Sequence, residues 1–161
     1  MITIIKNYSM QDIKNSIHLL LELSAHSPLV RNHAIMITSN QDDKISAIYN
    51  WVKDNVVYVS DPIGPDGDIE LFISPVKQIE WYNEGKKLAG DCDDHALLST
   101  ALYRAIGIQS RILLIDSIGN GIDHAYCEVW SSQLSMYVSA DTTAKFPFGW
   151  VIPSRQTIVI S

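Results

Sequence analysis

Hydrophobic residues near the start of the chain recur at three- and four-residue intervals. The stripe is formed by Ile13, Ile17, Leu20 and Leu21. This spacing predicts an amphipathic helix over residues 10–24, and Ser9 followed by Asp12 has the form of a capping box at its start. Pro28 is expected to begin a second, shorter helix, because proline is tolerated in the first turn.

Two further helices and a loop are predicted before the middle of the chain. Asn40 is expected to cap a third helix, whose buried stripe is Ile45, Ile48, Tyr49 and Val52. The apolar run at 56–59 then changes to strand character. The Pro-, Gly- and Asp-rich stretch 60–68 predicts a surface loop, and Pro75 opens a fourth helix that ends near residue 83.

The second half of the chain is patterned for one helix followed by strands. The helix covers 92–106 and ends at Gly107, which suits the left-handed conformation common after a helix. The predicted strands are 109–116, 124–130, 135–141 and the terminal "TIVI". Because helices come first and antiparallel strands follow, we expect an α+β fold in which a central helix packs on an antiparallel sheet.

Length and composition favour one globular domain over residues 1–161. The chain has 161 residues, of which 47% are hydrophobic and 19% charged. Its net charge of −6 gives no basic surface for nucleic acid or anionic lipid, so we expect neither partner. With no signal peptide or membrane span in the sequence, we expect a cytoplasmic protein, and association with a virion or larger assembly stays open. The pattern does not predict an oligomeric state.

The stretch "GDCDDHALLSTALYRAIG" places a thiol at the start of the central helix. The N-terminus of a helix carries partial positive charge and stabilises a thiolate, so Cys92 is a candidate nucleophile. Asp91, Asp93 and Asp94 oppose this, since they add negative charge that has to be balanced by a cation. A reduced cysteine that merely packs as a small hydrophobic residue is the alternative.

His124 is the histidine best placed to activate Cys92. It opens a predicted strand, and Asp141 closes the next one, so a hairpin would bring the carboxylate beside the imidazole. This order would make Cys92 the nucleophile, His124 the base and Asp141 the residue that orients it. His95, one helical turn after Cys92, is a second candidate base. Cys127 alternates with His124 along the strand and is expected to lie in the core.

A metal site is the other chemistry suggested by "GDCDDH". Thiolate and carboxylate ligands suit different ions, and no zinc-type or calcium-loop spacing is present. From the sequence we therefore expect no metal site and no cofactor.

Three blocks of the sequence together resemble the transglutaminase-like domains, a branch of the papain-like cysteine enzymes. The first block, "GDCDDHALLSTALYRAIGIQSRIL", supplies Gly90, Cys92, Asp94, Ala96, Gly107, Ile108 and Arg111. The second, "DHAYCEVW", supplies His124, Ala125, Tyr126, Glu128 and Val129, and the third, "MYVSADTT", supplies Asp141 and Thr142. The separation of 32 residues between Cys92 and His124 (124 − 92) is similar to this branch and unlike secreted papain-type proteases.

The resemblance implies a papain-like, transglutaminase-like core, with N-terminal helices and a central catalytic helix packed on the antiparallel sheet. It also implies roles for individual residues. Cys92 matches the family's nucleophile, His124 its base and acid, and Asp141 the residue that orients the imidazole. Tyr58 is the nearest match to an upstream oxyanion donor, and the backbone N–H of Cys92 is the other candidate. Tyr126 stands where a tryptophan is commoner, which bears on the lining of the substrate cleft.

The expected function is thiol acyl transfer on peptide or side-chain amide bonds of a protein or peptide substrate. Hydrolysis, as in a cysteine protease or amidase, is expected over transfer to an amine, as in crosslinking. A catalytically inactive binding or structural domain within a larger assembly is the alternative. The aromatic segment 145–155 is either a loop that covers the sheet edge or the core, or a wall or lid of the substrate cleft. In the second case Trp150 would line the cleft.

Overall fold

The computed structural model describes residues 1–65 and 67–161. Within them the chain forms five helices: α1 (Met10–Ala25), α2 (Pro28–Thr38), α3 (Lys44–Asn55), α4 (Pro75–Asn83) and α5 (Cys92–Ala105). It also forms nine strands: β1 (Ile2–Lys6), β2 (Val56–Tyr58), β3 (Ile63–Gly64), β4 (Gly67–Ile73), β5 (Leu88–Gly90), β6 (Ser110–Asp116), β7 (His124–Ser131), β8 (Met136–Ala140) and β9 (Gln156–Ile160). None of the helices in this described part is long and apolar enough to span a bilayer. The α+β prediction is confirmed.

The largest sheet holds the four C-terminal strands in the order β8-β7-β6-β9, and all its pairings are antiparallel. Strand β7 lies in the middle of the sheet and packs against α5. Its inward residues Ala125, Cys127 and Val129 join the main core, which confirms the predicted place of Cys127. The sheet therefore presents one apolar face to α5.

Helix α5 is the centre of the protein. Helices α1, α2 and α3 all pack against it, as do strands β6 and β7 of the large sheet. Its core residues are Ala96, Leu97, Leu98, Ala101, Leu102 and Tyr103, each 2% exposed or less. The helix ends as predicted: Gly107 has φ +80°, and the N–H groups of Gly107 and Ile108 donate to the carbonyls of Arg104 and Tyr103.

The predicted N-cap residue is found at the start of α1, and the one predicted for α3 needs a correction. The capping box of Ser9 and Asp12 is present at α1. The predicted cap of α3 at Asn40 is wrong, because Asp43 fills that position and accepts a hydrogen bond from the N–H of Ser46 at 3.0 Å. Asn40 instead adopts φ +59°, a conformation that asparagine tolerates in turns.

A small sheet replaces part of the predicted loop at 60–68. Strand β4 pairs antiparallel with β3 on one side and with β1 on the other, and the sequence analysis predicts none of these three strands. Asp66, which the loop prediction also covers, lies outside the described residues. Strands β2 and β5 form a separate parallel pair. Together these pieces bring residues 58, 61, 70 and 90 towards the start of α5.

Candidate active site

Cys92 is the first residue of α5, directly after β5. Asp91 is the N-cap of the helix, and its side chain accepts a hydrogen bond from the N–H of Asp93. Cys92 keeps part of its surface exposed, although most of the helix behind it is buried. The thiol therefore stands at the positive end of a buried helix where a reactant can reach it.

The residues two before and two after Cys92 fit against each other. A Cβ atom on Gly90 would lie 2.5 Å from Asp94 Oδ2, so only glycine fits this position without a shift. Asp94 Oδ1 accepts a hydrogen bond from the N–H of Ile73 at 2.7 Å. Gly90 and Asp94 thereby fix the strand-to-helix turn that holds Cys92.

His124 and Asp141 meet at one end of the large sheet. His124 Nε2 donates a hydrogen bond to Asp141 Oδ2 at 2.6 Å. The other oxygen of Asp141 accepts from the N–H and hydroxyl of Thr143 at 3.0 and 2.9 Å, and from the N–H of Ala144 at 3.2 Å. The turn after β8 therefore holds the carboxylate, and the carboxylate holds the imidazole.

The contacts of His124 favour its charged form. Burial lowers the pKa of His124, but the hydrogen bonds of its ring with Asp141 and Cys92 outweigh burial and raise it to about 10. Burial raises the pKa of Asp141, whereas its contacts with His124 and Thr143 lower it, and the pKa falls below its ordinary value. At neutral pH the two groups form an imidazolium–carboxylate pair.

Cys92 and His124 line one cavity of about 300 Å³. Tyr58, the predicted oxyanion candidate, lines it as well and is 53% exposed. The other residues that line it are Tyr8, Met10, Ile13, Ile17, Glu70, Asp91, Asp93, Leu114, Ile122, Asp123 and Ala125. The cavity therefore places the thiol and the imidazole in one shared surface depression.

Tyr126 and Trp150 do not belong to the described residues that line this cavity. Tyr126 is 3% exposed and packs with Leu113 and Ile115 on the other face of the sheet, where its ring stacks on His124. Trp150 is half-exposed and stacks on Phe146 at a centroid distance of 4.8 Å. Their predicted part in the substrate cleft stays a prediction.

His95, the second candidate base, is buried behind Cys92. Its Nδ1 lies 2.9 Å from the hydroxyl of Thr142, and burial lowers its pKa to about 4. It therefore stays neutral at physiological pH and links α5 to the residue that follows Asp141.

Five carboxylates, which we call the acidic cluster, lie around the start of α5 near Cys92. They are Asp61, Glu70, Asp91, Asp93 and Asp94. The sequence analysis identified the last three as neighbours of the thiol, but it missed Asp61 and Glu70. One oxygen each of Asp61, Glu70 and Asp91 lie within 4.8 Å of one another, and so do those of Asp91, Asp93 and Asp94. This is the arrangement in the described residues that could hold a cation.

A family model described as the transglutaminase-like superfamily matches residues 32–151. No curated protein matches the chain.

Two solved structures have a similar fold. A proposed cysteine protease from Cytophaga hutchinsonii is 21% identical with a TM-score of 0.57, over 99% of this chain and 53% of the other. A proposed protease from Parabacteroides distasonis is 13% identical with a TM-score of 0.51, over 80% of this chain and 29% of the other. The chain thus spans about half the length of the first of these proteins and less than a third of the second. The likeness supports the expected papain-like core.

Proposed function

The chain belongs to the transglutaminase-like superfamily, and on that basis we propose that it is a thiol acyl-transfer enzyme that acts on amide bonds. In this proposal Cys92 is the nucleophile, His124 moves the proton and Asp141 orients the imidazole. The substrate is a peptide bond or a side-chain amide of a protein or peptide.

One observation carries the proposal. His124 Nε2 is committed to Asp141 at 2.6 Å, and the same imidazole lines one cavity with Cys92. With Nε2 occupied by the carboxylate, Nδ1 is the nitrogen that exchanges a proton with the thiol. A nucleophile, a base and an orienting group in this relation are what acyl transfer requires.

The reaction proceeds in two steps. The Cys92 sulfur attacks the carbonyl carbon, and the resulting oxyanion accepts hydrogen bonds from the backbone N–H of Cys92 and from Tyr58. The C–N bond breaks as the His124 imidazolium gives its proton to the departing amine, which leaves a thioester on Cys92. Water then attacks the thioester and gives a proton to His124, and the C–S bond breaks to release the carboxylic acid, which restores the Cys92 thiolate and the His124 imidazolium.

Hydrolysis is the favoured outcome, because the similar structures are described as proteases. If an amine attacked the thioester in place of water, the product would be a new amide and the enzyme would crosslink. Mass spectrometry of a glutamine-containing peptide distinguishes the two, since hydrolysis adds 1 Da to the side chain and transfer adds the amine. Trials with and without a primary amine decide which acceptor is used.

The test of the proposal compares Cys92→Ala with Cys127→Ala. We expect Cys92→Ala to abolish amide cleavage and labelling by iodoacetamide in the folded protein, and Cys127→Ala to retain both. Cys127 is the matched control, because it is the second free cysteine and is buried in the core. Equal labelling of the two cysteines, or a folded wild type inert towards a broad amide panel, would favour an inactive binding domain instead.

A further inference from the structure

We infer that His95 is a positioning residue, which holds the turn that carries Asp141 against the helix that carries Cys92. This inference rests on the proposed function, because it concerns how the nucleophile and the orienting carboxylate are kept in place for acyl transfer. His95 is 2% exposed and is not among the described residues that line the cavity. It therefore acts on the site through other residues and not on the substrate.

Asp141 lies just beyond the part of the large sheet that is held by strand pairing. Strand β8 is at the edge of the sheet and pairs with β7 alone, and this pairing ends at Ala140, opposite Cys127. His124, in contrast, lies within the pairing of β7 with β6, opposite Ile115. The sheet thus fixes the backbone of the base, whereas the carboxylate that orients the base needs another support.

A buried hydrogen bond between His95 and Thr142 supplies this support. His95 Nδ1 lies 2.9 Å from the hydroxyl oxygen of Thr142, which is 7% exposed. The next two residues of the turn, Thr143 and Ala144, donate their N–H groups to Asp141. The turn is therefore anchored to α5 at the residue between Asp141 and the groups that hold its carboxylate.

The anchor is close to the nucleophile along α5. His95 lies three residues after Cys92, and its own N–H donates to the carbonyl of Asp91, the N-cap of the helix. A shift of the turn relative to the helix would change the distance between the thiol and the imidazole that Asp141 orients. Misplacement of reacting groups by about 1 Å can lower a rate by about 100-fold.

The buried imidazole of His95 is not explained by stability. A neutral ring has one donor and one acceptor nitrogen, and Thr142 pairs with Nδ1 only. Nε2 is buried and has no hydrogen-bond partner among the described residues. An apolar side chain at this position would avoid an unpaired polar atom, which is unfavourable and rare in buried positions. The bond to the turn is what the histidine provides and an apolar residue would not.

The test separates positioning from stability with variants of the two partners. Thr142→Val keeps the shape of the side chain but lacks the hydroxyl, whereas Thr142→Ser keeps the hydroxyl. The double variant His95→Leu with Thr142→Val removes both partners and the unpaired nitrogen. Because replacing both partners of a buried hydrogen bond by apolar groups can be nearly neutral, its Tm should stay within about 4 °C of the wild type.

Turnover gives the first readout. We expect kcat for amide cleavage to fall by about 10- to 100-fold in Thr142→Val and in the double variant, with KM within about twofold, because the bond acts on the placement of the reacting groups. Thr142→Ser should retain kcat within about threefold. The matched control is Thr100→Val, the same substitution at a fully buried threonine about two turns beyond Cys92 on α5, and it should retain kcat.

Proton NMR gives a second readout that needs no turnover. The proton between His124 Nε2 and Asp141 Oδ2 should resonate far downfield, because a short charge-assisted hydrogen bond deshields it. In Thr142→Val and in the double variant this resonance should move upfield and broaden, since the carboxylate is held less firmly. In Thr142→Ser and Thr100→Val it should stay in place.

An unchanged kcat in a folded Thr142→Val protein would overturn the inference, as would an equal loss of kcat in Thr142→Ser or Thr100→Val. If Thr142→Val does not fold, the double variant decides by the same criteria. A wild type that cleaves no amide would count against the proposed function. The resonance then tests the positioning by itself, and an unmoved resonance in Thr142→Val would show that His95 does not hold the pair.

Discussion

The carboxylate of Asp141 determines the pH range in which His124 carries a proton. It contacts the imidazole directly, and it is itself fixed by Thr143 and Ala144. The pKa of His124 is therefore near 10, because the interactions with its neighbours outweigh burial, which would lower the pKa.

Asp141→Asn is expected to lower the pKa of His124, because the amide retains a hydrogen-bond acceptor but loses the negative charge. In the proposed mechanism the protonated imidazole gives its proton to the leaving amine, so activity is lost as pH rises through this pKa. The alkaline limb of kcat/KM should then move to lower pH by about one unit or more. An NMR titration of the His124 ring reads the same shift without turnover. Asp54→Asn, at an exposed aspartate of α3, is the control. If neither the alkaline limb nor the ring titration moves in Asp141→Asn, the assignment is contradicted.

Gly90→Ala is expected to destabilise the protein by about 1–3 kcal/mol, because the new methyl group overlaps the Asp94 carboxylate. Urea unfolding measures the loss. In the double variant with Asp94→Gly the two effects should not add, since glycine lacks both the Cβ atom and the carboxylate that clash with the new methyl group. Additive losses would show that Gly90 is required for another reason.

Strands β6 and β7 bring together Arg111 and Glu128, two residues of the family pattern that are not among the described residues lining the cavity. Arg111 lies directly opposite Glu128 in the register, and Arg111 Nη2 lies 2.7 Å from a Glu128 carboxylate oxygen. The guanidinium also stacks over the ring of Tyr137 at 3.8 Å. These contacts explain both positions as supports of the sheet.

A double-mutant cycle with Arg111→Met and Glu128→Gln is expected to give a coupling of about 0.5–1 kcal/mol, because the pair is only partly exposed to solvent. Urea unfolding of the four proteins supplies the numbers. Amide cleavage by the folded single variants should stay within about twofold of the wild type. A larger loss of kcat at unchanged stability would mean that the pair acts on the site.

The helices and the large sheet could be predicted because their signals are local. Periodic hydrophobic residues, Ser9 with Asp12, Pro75 and Gly107 each mark an element through its own sequence. Strand β4 was missed because it directly follows turn-forming residues, and β1 because one short strand has no partner nearby in sequence. Asn40 was misjudged because several residues before α3 are capable of capping it.

Cys92, His124 and Asp141 could be identified for a similar reason, since each lies at the end of a strong local element. The acidic cluster could not be assembled in the same way. Asp61 and Glu70 reach it only through β4 and its pairing, and long-range pairing leaves no periodic signal in one sequence.

The balance of ionisable groups sets how the stability of the protein depends on pH. Asp94 has a raised pKa of about 8. Its contribution to the free energy of unfolding is therefore complete below pH 3.8, its ordinary pKa, and is lost as pH rises through 8. His124 contributes fully below 6.5 and loses that contribution as pH rises through about 10. Asp141, with a lowered pKa, contributes above 3.8 and loses it as pH falls further.

The protein is therefore expected to lose stability as pH rises from about 6.5 to 8. Below pH 6.5 the buried His33 and His95, whose pKa values burial lowers to about 4, oppose the effect of Asp94. Scanning calorimetry between pH 6.5 and pH 8 measures how steeply Tm falls with pH. Asp94→Asn keeps an acceptor for the N–H of Ile73 and should make this fall less steep, whereas Asp54→Asn should leave it unchanged. A Tm that rises steadily from pH 6.5 to pH 8 in the wild type contradicts the prediction.

Cys127 lies between α5 and the large sheet, where burial raises the pKa of its thiol to about 12. A reagent reaches this sulfur only when the helix separates from the strands, so its alkylation rate measures the free energy of that opening. Cys92 is partly exposed in the closed protein. A timed alkylation followed by mass spectrometry therefore measures two rates in the same molecule. The rate at Cys92 reports the accessibility of the site, and the rate at Cys127 reports the lifetime of the closed core.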